Sequence, residues 1–304
     1  MVRKMLLAVL GGCLSCQAVA QVKLDLGYTQ ANAFMAAFVA KDQGLFAKRG
    51  LEVSLQVVPQ GSTIASAMAG GTLQVGTLTP PAFLLAVEGG IDAQIVAAAT
   101  HQTKANPTIG VMAREGSNIR TAADMRGKRI GVPGLNGGNH IVMMKWLKNS
   151  GVDPKQVTFV ETAFPQMGDL LKGSQIDLVV PVEPFIGRIQ QTKAGYLVTV
   201  PTITDSFLES FYIMNREFVQ KSPKAARDFR EAIREAVAWI SKNEAEARKT
   251  QVTYLKLPEQ AAQTIKLPTF AVDVQPQDMQ FWIDLLKDFG VTKGTATVQQ
   301  VLFR

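Results

Sequence analysis

The stretch Ala123-Asp124-Met125-Arg126-Gly127-Lys128-Arg129-Ile130-Gly131-Val132-Pro133-Gly134, continued by Leu135-Asn136-Gly137-Gly138-Asn139-His140, decides the fold. A polar turn runs into a short buried strand, Arg129–Val132, then a glycine-rich loop, then a helix with Ile141, Met144 and Leu147 on its apolar side. A strand feeding such a loop at a helix N-terminus leaves backbone N–H groups unpaired and aimed at one place. Partial positive charge gathers there, so an anion can be held without a cationic side chain. A plain strand-to-helix turn with convenient glycines fits the same residues, and the stretch alone leaves both readings open.

Outward from this block, strands and helices alternate. Val22–Gly27 reads as a strand, Ala31–Lys48 as a helix ended by Arg49-Gly50, and Leu51–Val58 as a second strand closed by Pro59-Gln60-Gly61. Ser62 is placed to cap a helix through Met68 with its hydroxyl. Leu73–Thr77 and Ile91–Ala99 are further buried strands on either side of a helix at Pro81–Val87. From Asn106-Pro107 the chain crosses into a second lobe with strands near Thr108–Ala113, Lys128–Val132, Val157–Glu161, Ile176–Val180 and Leu197–Val200. Phe207–Met214 reads as a returning strand, and Lys224–Lys242 as an amphipathic helix with Ala226, Phe229, Ile233, Val237 and Ile240 on one stripe. This alternation predicts an α/β class with two open sheets, lobe 1 from residues 21–106 and 208–304 and lobe 2 from 107–207, joined by two crossings over a cleft.

Open α/β sheets bind ligands beyond the carboxyl ends of their strands. That rule selects Tyr28-Thr29-Gln30-Ala31-Asn32, Gln60-Gly61-Ser62, Thr77-Leu78-Thr79 and Thr100-His101-Gln102 in the first lobe. In the second it selects Gly134–His140 (with Asn136, Gly137, Gly138 and Asn139), Thr162-Ala163-Phe164 and Glu183-Pro184-Phe185. Amides, hydroxyls and backbone N–H groups suit a small carboxylate or sulfonate, while the rings suit an organic body. Each residue also has a plain structural reading. Ser62 serves equally as a helix cap, Tyr28 and Phe185 as cleft-edge core, and Asn139 and His140 as filling of the first helical turn. Glu183 has two candidate partners, a ligand ammonium or a cross-lobe donor; the second is favoured because a buried unpaired carboxylate is costly. His101 reads as a satisfied polar residue rather than a metal ligand.

Several stretches resemble, in order, the solute-binding proteins that serve ABC importers of the nitrate/sulfonate/taurine type. Besides the Asp124–Gly134 block they are Gly27-Tyr28, Ala40–Val53, Ala67–Gly76, Met167–Asp177 and Val182-Glu183-Pro184-Phe185. The similarity spans about residues 22–220. One departure is Gln74, where the family usually carries Asp. The resemblance implies a type II periplasmic-binding-protein fold, the same ligand loops, and a monomer that captures a small organic anion, carboxylate or sulfonate, aromatic ones included. It further implies delivery of the anion to permease subunits driven by a cytoplasmic ATPase. Two alternatives are a binding protein read by a membrane sensory receptor, and a biosynthetic enzyme for a pyrimidine precursor, a similar branch that carries a cysteine-rich motif absent here.

Composition is consistent with this reading. Residues 1–20 read as an export signal: Arg3 and Lys4, the apolar Met5–Leu10, and Ala18-Val19-Ala20 ahead of cleavage before Gln21. Lipidation at Cys13, in Leu10-Gly11-Gly12-Cys13, is the lesser alternative because the apolar segment would be very short. Both cysteines, Cys13 and Cys16, lie in this segment, so the processed chain has no thiol nucleophile, disulfide or cysteine–metal site. Processing removes Arg3 and Lys4 and lowers the formal charge from +7 by two, to +5. The remaining basic residues are interleaved with acids, as in Arg227-Asp228-Phe229-Arg230-Glu231, which argues against nucleic acid. His101 and His140 are the only histidines and lack metal-ligand spacing. Without a nucleophile elbow, Walker loop or dinucleotide fingerprint, no catalytic constellation can be assembled, and no cofactor is called for.

N-terminal sequencing of the exported protein should read Gln21 as the first residue. A diacylated Cys13 would instead define a lipoprotein, and an intact Met1 would remove the export argument.

Overall fold

The computed structural model describes residues 21–303; the export segment proposed for residues 1–20 lies outside them. The described residues form eleven strands: β1 Val22–Tyr28, β2 Leu51–Val57, β3 Val75–Leu78, β4 Ala93–Thr103, β5 Val111–Arg114, β6 Arg129–Val132, β7 Thr158–Glu161, β8 Leu178–Val179, β9 Gly195–Thr199, β10 Ser206–Asn215 and β11 Thr269–Phe270. They assort into two sheets, one in the order β11-β4-β10-β3-β1-β2 and the other β7-β6-β8-β5-β9. In the first, β1 runs parallel to β2 and β3; in the second, β6 runs parallel to β7 and β8. Helices between these strands cover the sheet faces, as parallel pairing requires.

Two segments cross between the sheets, from the end of β4 at Thr103 to β5, and from β9 to β10. They are tied together where Lys104 N–H donates to the Asp205 carbonyl at 2.9 Å. β4 and β10 pair antiparallel from Ser206↔Thr103 to Asn215↔Ala93, so both crossings leave from the end of one long ladder. That ladder is irregular at one point of consequence: Leu208 faces His101 and Ser210 faces Thr100, leaving Glu209 as the extra residue of a β-bulge.

The amphipathic segment near 224–242 is the helix Pro223–Lys242, with Ala226, Phe229, Ile233 and Ile240 buried. Phe229 stacks on Phe46 at 5.2 Å and meets Tyr212 of β10 edge-on at 5.5 Å, which fixes this helix to the first sheet. The helix Pro276–Asp288 packs on the ladder from the C-terminal side. Trp282 Nε1 donates to the Leu208 carbonyl at 2.9 Å, taking an oxygen at the bulge.

One local expectation changes. The helix read at Ala31–Lys48 is a turn of 3₁₀ at Asn32–Phe34, the α-helix Met35–Asp42 and another 3₁₀ turn at Ala47–Arg49. Gly44, with φ +65°, bends the chain between the last two. At Gln74 the amide takes the acceptor role: its Oε1 accepts the Asp25 N–H at 3.0 Å while its Nε2 donates to the Gly71 carbonyl at 3.1 Å. No helix among the described residues is long and apolar enough to cross a membrane.

Candidate functional site

The carboxyl ends of β1, β2 and β3 face those of β6, β7 and β8 across a cleft. Two contiguous chambers occupy it, of about 100 Å³ and about 60 Å³, and Thr29, Phe34, Thr79, Asn139 and Phe164 line both. The larger chamber is bounded by Gly61 and Ser62 after β2 and by the Pro133–Asn139 loop after β6. The smaller reaches the start of the second lobe at Thr108 and the bulge at Glu209 and Ser210.

At the glycine-rich loop the strand Arg129–Val132 runs into a helix start, as the sequence suggests. Gly137 is extended before the twelve-residue helix Gly138–Asn149, and no side chain caps it. Gly138 N–H donates across the lobes to Thr79 Oγ1 at 3.1 Å, and Ile141 N–H bonds the Gly137 carbonyl at 3.0 Å. Between them, the Asn139 and His140 N–H groups meet no acceptor among the described residues. These are the donors a helix start leaves over. The Asn139 side chain holds the helix start in place, its Nδ2 donating to the Val180 carbonyl beyond β8 at 2.9 Å.

His140 takes a supporting position. Its Nδ1 accepts the N–H of Asn136 at 2.8 Å, which holds Asn136 at φ +60° and stabilises the loop. The ring is buried edge-on to Phe159, with centroids 4.2 Å apart. Burial disfavours the charged ring and lowers its pKa to about 4, so it is neutral at pH 7. With Nδ1 accepting, the ring proton resides on Nε2.

At the mouth, the helix Ser62–Ala69 starts at Ser62 itself with Gly61 as its cap, so Ser62 is not the N-cap. Its hydroxyl is free to bridge the lobes and donates to Glu161 Oε1 at 2.8 Å, whose other oxygen accepts the Leu135 N–H at 3.4 Å. At the far end the Glu209 carboxyl accepts from Thr100 Oγ1 at 2.9 Å and lies 3.2 Å from Thr108 Oγ1. Burial raises its pKa, and these hydroxyls and the nearby His101 ring oppose the rise.

Of the residues selected from sequence, Thr29, Ala31, Asn32, Gly61, Ser62, Thr77, Leu78, Thr79, Gly134, Leu135, Gly137, Gly138, Asn139 and Phe164 line the two chambers. Asn136 and His140 stand just behind the loop. Tyr28 is buried against Phe38 at 4.9 Å and its hydroxyl donates to the Tyr254 carbonyl, away from the cleft. Gln30 and Phe185 line a separate groove of about 550 Å³ with Arg188 and Leu257. Phe185 also stacks on Phe164 at 5.4 Å, so it backs the ring that faces the cleft. The Gln60 carbonyl accepts from Thr63 at the start of the next helix. His101 lies on β4 with Nε2 3.4 Å from Asp278 Oδ1. Glu183 accepts the Gly187 N–H at 3.2 Å and feels Lys266; burial raises its pKa against both. Among the lining residues that sequence reasoning missed are Phe34, Thr108, Glu209 and Ser210 of the smaller chamber.

The NMT1/THI5-like family model matches residues 31–247. A binding protein of Brucella abortus (strain 2308) is 26% identical over 230 residues, covering 74% of this chain and 69% of its own. Among solved structures, the alkanesulfonate-binding protein SsuA of Xanthomonas axonopodis pv. citri, bound to MOPS, superposes with a TM-score of 0.81 at 18% identity, covering 93% of this chain and 99% of its own. The periplasmic nitrate-binding protein NrtA of Synechocystis PCC 6803 gives 0.81 at 16% identity over 93% and 86%. The fold is therefore that of the periplasmic binding proteins, and these names are those of binding proteins, not of enzymes.

The neutral His140 makes stability depend on pH. Its folded pKa is depressed below the unfolded value near 6.5, so the unfolded chain binds the extra proton first as pH falls. Its contribution, about 3 kcal/mol in full, is present above pH 6.5 and lost as pH falls towards 4. Urea titrations of the protein and of His140→Gln should show a stability difference that shrinks across that window. A difference independent of pH would contradict the buried neutral ring.

Proposed function

The chain belongs to the NMT1/THI5-like family, and from that premise we propose that it is the extracytoplasmic solute-binding component of an ABC importer. Its ligand is a small organic anion, a carboxylate or sulfonate, held between the lobes and handed unchanged to a membrane permease. The observation that carries this reading is the pair of unpaired N–H groups of Asn139 and His140 at the head of a twelve-residue helix whose first residues, Gly138 and Asn139, line the interlobe cleft. Phe34, Leu78 and Phe164 beside them favour an organic body over a bare oxyanion. Closure excludes water from the cleft and strengthens each hydrogen bond to the ligand. The paired crossings after β4 and before β10 provide the hinge, and the contacts of Ser62 with Glu161 and of Gly138 with Thr79 are made between the lobes.

A thermal-unfolding screen of alkyl sulfonates, carboxylates and inorganic oxyanions tests it. One organic class should stabilise the protein by about 2.7 kcal/mol at a hundredfold excess over Kd. Thr79→Val keeps the shape but removes the acceptor of the Gly138 N–H and a donor to the cleft. It should weaken the best ligand by about 1 kcal/mol, roughly fivefold. Stabilisation by inorganic oxyanions alone, or recovery of a chemically altered ligand, would overturn the reading.

A further inference from the structure

Glu209 is a half-buried acid without a partner of opposite charge. Among the described residues it meets only two hydroxyls, Thr100 Oγ1 at 2.9 Å and Thr108 Oγ1 at 3.2 Å. Neither hydroxyl depends on it. Thr100 Oγ1 is also 2.8 Å from Ser210 Oγ, and Thr108 Oγ1 is 2.7 Å from Gln102 Oε1. Each hydroxyl has one proton to give, so Glu209 receives at most two hydrogen bonds, both contested. The nearby His101 ring faces Asp278 at 3.4 Å. A carboxylate has room for about four hydrogen bonds, and one that lines a chamber gains most from a counter-charge when a ligand displaces the water there.

The fold places this acid in the cleft by a specific device. As the extra residue of the bulge between Leu208 and Ser210, Glu209 has no partner on β4, and the local twist re-aims its side chain. Trp282 fixes the neighbouring carbonyl at 2.9 Å. Glu209 then lines the smaller chamber beside Asn32, Thr108 and Asn139. Glu183, another half-buried acid, has the Gly187 N–H at 3.2 Å and the charge of Lys266, and lines neither chamber.

We propose that Glu209 is a ligand-binding residue that seats a protonated amine, so that the protein selects small zwitterions with an acid group at the Asn139–His140 helix start and an ammonium in the chamber beside it. This deepens the organic-anion reading above and rests on it. Asn139, Thr79 and Phe34 line both chambers, so one short molecule can span them. An ammonium brings three donors and the missing positive charge, and the apolar walls strengthen the pair by excluding water. The same acid works against amine-free anions, whose carbon chain would be pressed against an uncompensated carboxylate.

Isothermal titration with matched probes tests this: 3-aminopropanesulfonate against propanesulfonate, and 4-aminobutanoate against butanoate, on the unmodified protein and on Glu209→Gln. The amine-bearing member of at least one pair should bind at least tenfold tighter to the unmodified protein. Glu209→Gln, which keeps the shape, should erase that preference, leave the amine-free member within about twofold, and raise the melting temperature of the ligand-free protein. Equal affinities within both pairs would overturn the proposal and leave the organic-anion reading standing. An equal loss for both members in Glu209→Gln would make the acid merely structural and also overturn it. Failure of all four probes and of the wider anion screen would bring down the organic-anion reading itself, and the proposal with it.

Discussion

The antiparallel pairing of β4 with β10 is the constraint on which the rest of the structure depends. Both strands are long, buried and central to the first sheet, and the two crossings to the second lobe leave from the same end of their ladder. Pairing residues more than a hundred positions apart closes the large loop that contains the whole second lobe. Once it forms, the second sheet stands with its strand ends facing those of the first. The bulge in this ladder then sets which polar group faces the cleft. Hinge, cleft and half-buried acid are thus consequences of a single register.

The cleft works with few formal charges. Its helix start supplies N–H donors already fixed in direction by Gly137, by the Asn139 contact with Val180 and by the Asn136 contact with His140. Donors held in place reorganise little on binding, which suits a protein that must recognise a small molecule and also release it. The neutrality of His140 fits the same logic: a charged ring there would bind anions more strongly but would lose its hydrogen bond to the loop.

Much of this was legible in the sequence because it depends on short-range patterns. The strand Arg129–Val132 and the helix beginning at Gly138 follow from apolar spacing and glycine placement, and the amphipathic stripe of Phe229 and Ile233 gives the helix Pro223–Lys242 almost to the residue. The loops at strand ends delivered fourteen of the lining residues for the same reason. What stayed hidden is settled by partners far along the chain. The alternation in Phe207–Met214 gives no sign of a bulge, because Glu209 is displaced only by how Leu208 and Ser210 meet His101 and Thr100. Tyr28 follows a strand as a ligand-stacking ring would, yet Phe38 and Tyr254 draw it into the core. Ser62 has the right residue type for a cap, but the helix begins on it and its hydroxyl crosses to Glu161.

The central claim is that the unpaired N–H groups of Asn139 and His140 hold the acid group of the ligand. Backbone amide resonances, followed by nuclear magnetic resonance as the best-binding anion is added, report on those two protons directly. The account predicts large downfield shifts at Asn139 and His140 that saturate at one ligand per protein, with the Ile141 amide, already bonded to Gly137, moving little. Unshifted Asn139 and His140 amides, with movement instead at Gln30 and Leu257 in the neighbouring groove, would contradict it.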